Sequence, residues 1–186
     1  MIYKSLPNIL SLFRIVMSPF FIFFMIQDKP YSLLMALFLI FILSITDFFD
    51  GYYARKYNLI TELGKYLDPL ADKIFVLTVF FTFYFVLGND IFPLWMILLI
   101  LLRDIIVTVM RNFFKSRNNN FHTSALAKNK TLIQILCMHL ILLILIVDQF
   151  EIFLVSYSYI YYIMLFCTFM TALSGFDYVL KYYSKS

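Results

Sequence analysis

Residues 31–54 read YSLLMALFLIFILSITDFFDGYYA. From Tyr31 to Thr46 no side chain is charged, and then Asp47 and Asp50 arrive within one helical turn. A helix needs about 20 apolar residues to cross the hydrocarbon core of a bilayer, so this segment reads as a membrane span that ends in carboxylates. The rest of the chain has the same texture. Of its 186 residues, 63% are hydrophobic, 20% aromatic and only 14% charged, where a soluble domain carries about 25% charged residues. There are too few charges to coat a globule of this size. With 4 Gly and 5 Pro the chain is also poor in the residues of disordered segments. The expected class is an all-α integral membrane protein.

Apolar runs fall at about 7–27, 31–54, 67–88, 91–115, 131–148 and 152–181. They predict a single membrane domain over 1–186, with six transmembrane helices and no internal repeat. Residues 1–6 read as an interfacial segment, and the first run lacks the small-residue cleavage site of a secretory signal. Two longer polar stretches remain, 55–66 and 112–130. Of the 15 Lys and Arg residues, 14 lie at or toward the side of these stretches and only Lys29 lies on the other. The positive-inside rule therefore puts both termini, both long loops and any active site on the cytoplasmic side of the cell membrane. The opposite turns carry Asp28, Asp90, Asp148 and Glu151. The net charge of +4 belongs to this loop pattern, and no nucleic-acid partner is expected. Cys137 and Cys167 lie in apolar runs and read as packing residues, as does His139 with a hydrogen bond; His122 reads as solvated.

Ionisable groups inside spans cost about 2.5–3.5 kcal/mol each on insertion scales, so the few present carry the information. Asp47 and Asp50 are i and i+3, and Asp68 and Asp72 are i and i+4, so each pair shares one helical face. A short loop joins the two helices, which makes them antiparallel neighbours and brings four carboxylates to one depth near the membrane edge. Such a group requires protonation or cations. Hard divalent ions such as Mg²⁺ or Mn²⁺ take oxygen ligands of this kind, and two of them suit phosphoryl transfer. Gly51 and Ala54 leave a groove on the carboxylate face, Gly64 allows close approach, and Arg55 is placed to meet a phosphate. Two competing readings are simple interfacial pairing of the aspartates with Arg55, Lys65 and Lys73, and ion handling through an acidic site.

The spacing Asp47-x2-Asp50-Gly51-x2-Ala54-Arg55-x8-Gly64-x3-Asp68-x3-Asp72 resembles the signature of the CDP-alcohol phosphotransferase family at every fixed position. Asn8-x5-Arg14 is similar to that family's opening. The resemblance implies a six-helix membrane bundle, a homodimer, and two divalent cations at the cytoplasmic side. It implies Asp47, Asp50, Asp68 and Asp72 as metal ligands, with Asp72 also the general base. Asn8, Gly51, Ala54, Arg55, Thr61 and Gly64 would contact the nucleotide lipid.

A second charged cluster lies in the fourth run. Arg103 sits well inside it, and Asp104 and Arg111 share a helical face. This is either an intramembrane ion-pair network or a pocket for an anionic acceptor, with Arg103 and Arg111 supplying forked donors and Lys128 and Lys130 closing the pocket. Arg103-x7-Arg111 followed by Lys128-x-Lys130-Thr131-x2-Gln134 resembles the branch that makes phosphatidylglycerophosphate. Asp104 and Ala127 depart from that branch, and Arg103-Asp104 is closer to the eukaryotic-type cardiolipin synthases. Arg111 favours glycerol 3-phosphate over phosphatidylglycerol as acceptor. The expected partners are then CDP-diacylglycerol, glycerol 3-phosphate, membrane lipids and a second copy of the chain.

Overall fold

Three helix ends on one side of the molecule set its topology. In the computed structural model, which describes residues 2–56, 64–116, 125–153 and 155–183, the chain forms α1 (Ile2–Ile26), α2 (Pro30–Lys56), α3 (Gly64–Leu87), α4 (Leu94–Ser116), α5 (Ala125–Gln149) and α6 (Ser158–Tyr183). Side chains are described at 8–47, 49, 64, 67–110, 129–153 and 155–180. The first expected segment, 1–6, belongs from Ile2 onward to α1.

The tight turns follow from local chemistry. Asp28, with φ 44°, closes α1 by an Asp28 N–H to Met25 C=O bond, and Pro30 then opens α2, where its missing N–H is harmless. Gly88, with φ 82°, ends α3 by donating to the Tyr84 carbonyl, an αL cap that a β-carbon would strain. Glu151, with φ 54°, ends α5: Ile152 N–H reaches Val147 C=O at 3.1 Å and Glu151 N–H reaches Asp148 C=O at 2.9 Å. That is the Schellman pattern, built without glycine. α6 begins at Ser158, later than the start of the apolar run at 152. On this same side the Tyr157 hydroxyl donates to Asp148 Oδ2 at 2.6 Å, and Gln149 Nε2 to Asp28 Oδ1 at 2.9 Å. The hydrogen bond to Asp148, with partial burial and the negative charges of Asp148 and Asp28, pushes the Tyr157 phenol up to about 12.

The helices pack as two groups. α1 lies against α2 and α3, α6 lies against α4 and α5, and α2 with α5 and α3 with α4 join the halves. The half of the bundle nearest the tight turns is filled with Phe21, Met25, Phe80, Phe83, Phe92 and Met96, all fully buried, with Phe21 and Phe83 edge to face at 5.8 Å. Outside, large apolar residues such as Phe23, Phe38, Leu102 and Phe169 are exposed on every helix face that lacks a neighbour. In water that would be untenable over so many residues; in lipid it is the required surface. Five helices contain a stretch long and apolar enough to cross a membrane: Asn8–Ile26, Pro30–Asp47, Leu67–Leu87, Asn129–Gln149 and Ser158–Leu180. α4 is 23 residues long but carries Arg103 and Asp104 at its middle, and its side chains are described only to Met110. The chain is therefore a multi-pass membrane protein of six helices among the described residues, without strands there.

Because lipid tails are as apolar as leucine, helix contact inside the membrane depends on close packing and on satisfied polar groups. Ser18, Ser44, Thr82, Thr168 and Thr171 each return their hydroxyl to a carbonyl of their own helix at 2.6–2.8 Å. His139 bonds the Ile135 carbonyl through Nδ1 at 2.8 Å, and Cys137 and Cys167 are free thiols in the core. His122 lies outside the described residues.

Candidate active site

Three helices bring their charges to the end of the bundle opposite the tight turns. Asp47 comes from near the end of α2, and Asp68 and Asp72 from the first turns of α3. The side chain at their centre is Arg14 of α1, which is only 1% exposed. Its Nη1 donates to Asp47 Oδ1 at 2.9 Å and also to Asp72 Oδ1. One turn earlier on α1, the Ser11 hydroxyl donates to Asp68 Oδ1 at 2.6 Å. Thus α1 supplies a cation and a hydroxyl to three of the expected carboxylates. Asp47 and Asp72 keep 29% and 39% of their side-chain surface exposed, so the cluster lies at the edge of the protein rather than in its interior. Asn8 and Gly64 stand beside it at the starts of α1 and α3, Asn8 half-buried and Gly64 buried.

The side chains of Asp50, Gly51, Ala54 and Arg55 lie outside the described residues, although their backbone continues α2. Thr61 lies outside them altogether. Among the described residues no three acidic, histidine or cysteine side chains group closely enough to hold a metal ion; there the Arg14 guanidinium stands between Asp47 and Asp72. Carboxylate oxygens are the donor type a hard divalent cation takes; here those of Asp47 and Asp72 are engaged by Arg14 and that of Asp68 by Ser11. Of the three cations expected to pair with the aspartates at the interface, the side chain of Lys73 alone is described. Lys73 donates to Thr108 Oγ1 of α4 at 2.9 Å, while Arg55 and Lys65 have no described side chain.

A cavity of about 330 Å³ opens between α3, α4 and α5 directly beside this cluster. Asp72 lines it on one side, and Lys73, Arg103, Asp104, Lys130 and Gln134 line it on the others. Arg103 sits nine residues into α4, about 14 Å along the helix at the usual rise. Its Nη1 reaches Asp104 Oδ1 at 3.1 Å, and Lys130 Nζ grips the same carboxylate at 2.7 and 2.5 Å. The ion-pair network and the acceptor pocket, set out as alternatives on the sequence, are thus one structure: the network forms a wall of the cavity. Two positive charges against one carboxylate leave that wall net cationic. Arg111 and Lys128, expected here too, have no described side chain.

Arg14 and Ser11 were not among the expected site residues. Arg14 is a charge inside an apolar run, the signal that singled out Arg103, but on the sequence it enters only the one-sided cation set and the Asn8-x5-Arg14 opening. Thr108 carries no charge and had no such signal, whereas Gln134 stood only within the Lys128-x-Lys130-Thr131-x2-Gln134 pattern.

The chain is thus an α-helical membrane bundle in which Asp72, one of the carboxylates gathered around Arg14, also lines a cavity walled by Arg103 and Lys130. A family model described as CDP-alcohol phosphatidyltransferase matches residues 4–174, and the chain belongs to that family. Among curated relatives, a Bacillus subtilis (strain 168) protein is 34% identical over 189 aligned residues, covering 95% of this chain and 94% of its own length. A Rickettsia bellii protein is 39% identical over 140 residues, covering 75% and 76%. An Aquifex aeolicus protein is 36% identical over 128 residues, covering 69% and 70%. Each of the three bears the name CDP-diacylglycerol--glycerol-3-phosphate 3-phosphatidyltransferase.

Proposed function

We propose that this chain transfers a phosphatidyl group from CDP-diacylglycerol to glycerol 3-phosphate, giving phosphatidylglycerophosphate and CMP. The observation that carries the reading is the single cavity lined by Asp72 of the acidic cluster and by Arg103 and Lys130. It sets a proton acceptor beside a place for a small anionic alcohol. The near full-length likeness to the Bacillus subtilis relative supports the same acceptor.

In this reading the acceptor phosphate lies against Arg103 and Lys130, with Arg111 and Lys128 entering from the loop side. That holds the acceptor's free hydroxyl toward Asp72. The hydroxyl oxygen attacks the phosphorus that carries the diacylglycerol, its proton passes to Asp72, and the bond from that phosphorus to the CMP phosphate oxygen breaks. CMP leaves with the electron pair. Asn8, Gly51, Ala54, Arg55, Thr61 and Gly64 line the nucleotide end. Asp47, Asp50, Asp68 and Asp72 would hold two divalent cations, Mg²⁺ or Mn²⁺, which when bound neutralise the diphosphate and the leaving oxygen. A carboxylate among cations is a modest base, so positioning contributes much of the rate. The active site and both termini face the cytoplasm across the cell membrane, supported by the one-sided Lys and Arg distribution, and the protein works among membrane lipids as a homodimer.

The test is CMP release by purified protein given CDP-diacylglycerol, Mg²⁺ or Mn²⁺, and either glycerol 3-phosphate or phosphatidylglycerol. Release with glycerol 3-phosphate alone is expected. Release with phosphatidylglycerol alone, as in a cardiolipin synthase, or with neither alcohol, overturns the reading.

A further inference from the structure

We propose that α6, an element with no residue in the expected site, sets the affinity for the acceptor through Gly175, a positioning residue for Arg103. This rests on the acceptor reading given above.

Arg103 is 8% exposed and its guanidinium is committed on one side only. Nη1 is held by Asp104, which Lys130 fixes in turn. The opposite edge, Nε and Nη2, is buried and has no hydrogen-bond partner. Nε–H and one Nη2–H are parallel donors, the fork that a phosphate accepts through two oxygens. A buried, unspent fork in a membrane protein is costly unless a ligand or a water takes it, and this one belongs to a residue that lines the cavity.

The stem of Arg103 lies over Gly175. A β-carbon at position 175 would sit 2.7 Å from Arg103 Cγ, 3.5 Å from Nε and 3.7 Å from Cδ. The first distance is inside any real carbon–carbon contact, and Cγ is close to the helix, where it cannot swing aside without rotating χ1. With Nη1 tethered at the far end, that rotation moves the whole fork. Gly175 therefore serves by lacking a side chain: it lets the Arg103 stem pack flat against α6. One turn earlier, Thr171 holds the adjoining wall. Its only proton goes to the Cys167 carbonyl, so it accepts from Gln134 Nε2 at 3.5 Å. That arrangement fixes the Gln134 amide with Oε1 buried and unpartnered, a hydrogen-bond acceptor in the wall of the same cavity.

The experiment is a double-mutant cycle over Gly175→Ala and Arg103→Ala, read by steady-state kinetics and by thermal melting in detergent. Gly175→Ala should raise KM for glycerol 3-phosphate about ten- to a hundred-fold, as loss of charge-assisted hydrogen bonds would, and leave KM for CDP-diacylglycerol and kcat within about two-fold. In the Arg103→Ala background, where Cγ is gone, Gly175→Ala should change neither KM nor melting temperature. If Gly175→Ala alone does not fold, Arg103→Ala should restore folding. Equal rises in both KM values, no rise, an undiminished cost in the Arg103→Ala background, or failure of Arg103→Ala to restore folding would each overturn the proposal. Absence of wild-type turnover on glycerol 3-phosphate would instead count against the acceptor reading, while the melting cycle still decides the contact.

Discussion

Replacing Arg14 by Gln removes the one described cation at the centre of the acidic cluster and leaves a neutral amide on a shorter side chain. Arg14 is buried and bonded to both Asp47 and Asp72. Two unit charges about 4 Å apart interact by about 4 kcal/mol at an effective dielectric of 20, and stripping one partner from a buried charge pair costs about 3–5 kcal/mol. Asp47 is 29% and Asp72 39% exposed, so solvent screens part of the repulsion that remains and lowers the expected loss to about 2–4 kcal/mol. For a chain of this length that is roughly 5–15 °C in melting temperature. The loss should appear in EDTA and shrink below about 1 kcal/mol with saturating Mn²⁺, because bound cations would then carry the neutralising charge. Thermal melting of the detergent-solubilised protein and its Arg14→Gln variant, each with EDTA and with Mn²⁺, measures both effects. An equal loss under the two conditions, or none in EDTA, would refute the claim that Arg14 and divalent cations serve the same carboxylates.

Other outcomes follow from the same geometry. Asp68→Asn keeps an oxygen for the Ser11 hydroxyl but removes a charge, so melting should change little while CMP release falls at least about a hundred-fold; near-normal turnover would remove Asp68 from the metal-holding set. On the opposite face, the phenolate absorbance difference between wild type and Tyr157→Phe should titrate with a midpoint about 12. Since a free tyrosine titrates near 10, the stability from the Tyr157–Asp148 bond is fully present below about pH 10 and lost as pH rises through the folded value. A midpoint near 10 would show that the bond does not form.

The sequence carried the membrane class and the helix order, and it pointed to Asp47, Asp68 and Asp72, which α1 contacts through Arg14 and Ser11, because charges inside apolar runs are too costly to be incidental. It also led to Arg103 and Lys130. It could not show that Asp104 joins those two into one wall, since Lys130 lies 26 residues away on another helix. The last apolar run begins at 152 while α6 begins at Ser158, because hydropathy marks where apolar residues start and not where the backbone turns helical. Gly175 was invisible because a glycine inside a helix announces itself only through the neighbour that fills its missing side chain, and that neighbour is on α4. Arg14 shows the opposite failure, in which the rule applied to Arg103 was not extended to a charge near the chain start.

In the proposed reaction one cavity joins the acceptor to the acidic cluster for direct transfer. Purified protein should therefore be given CDP-diacylglycerol, Mg²⁺ and glycerol 3-phosphate labelled in its glycerol carbons, with label in the lipid phase and CMP counted together. One labelled lipid should form per CMP released, with both signals absent in Asp72→Asn. CMP released without label entering the lipid phase, or both signals persisting in Asp72→Asn, would contradict that reaction.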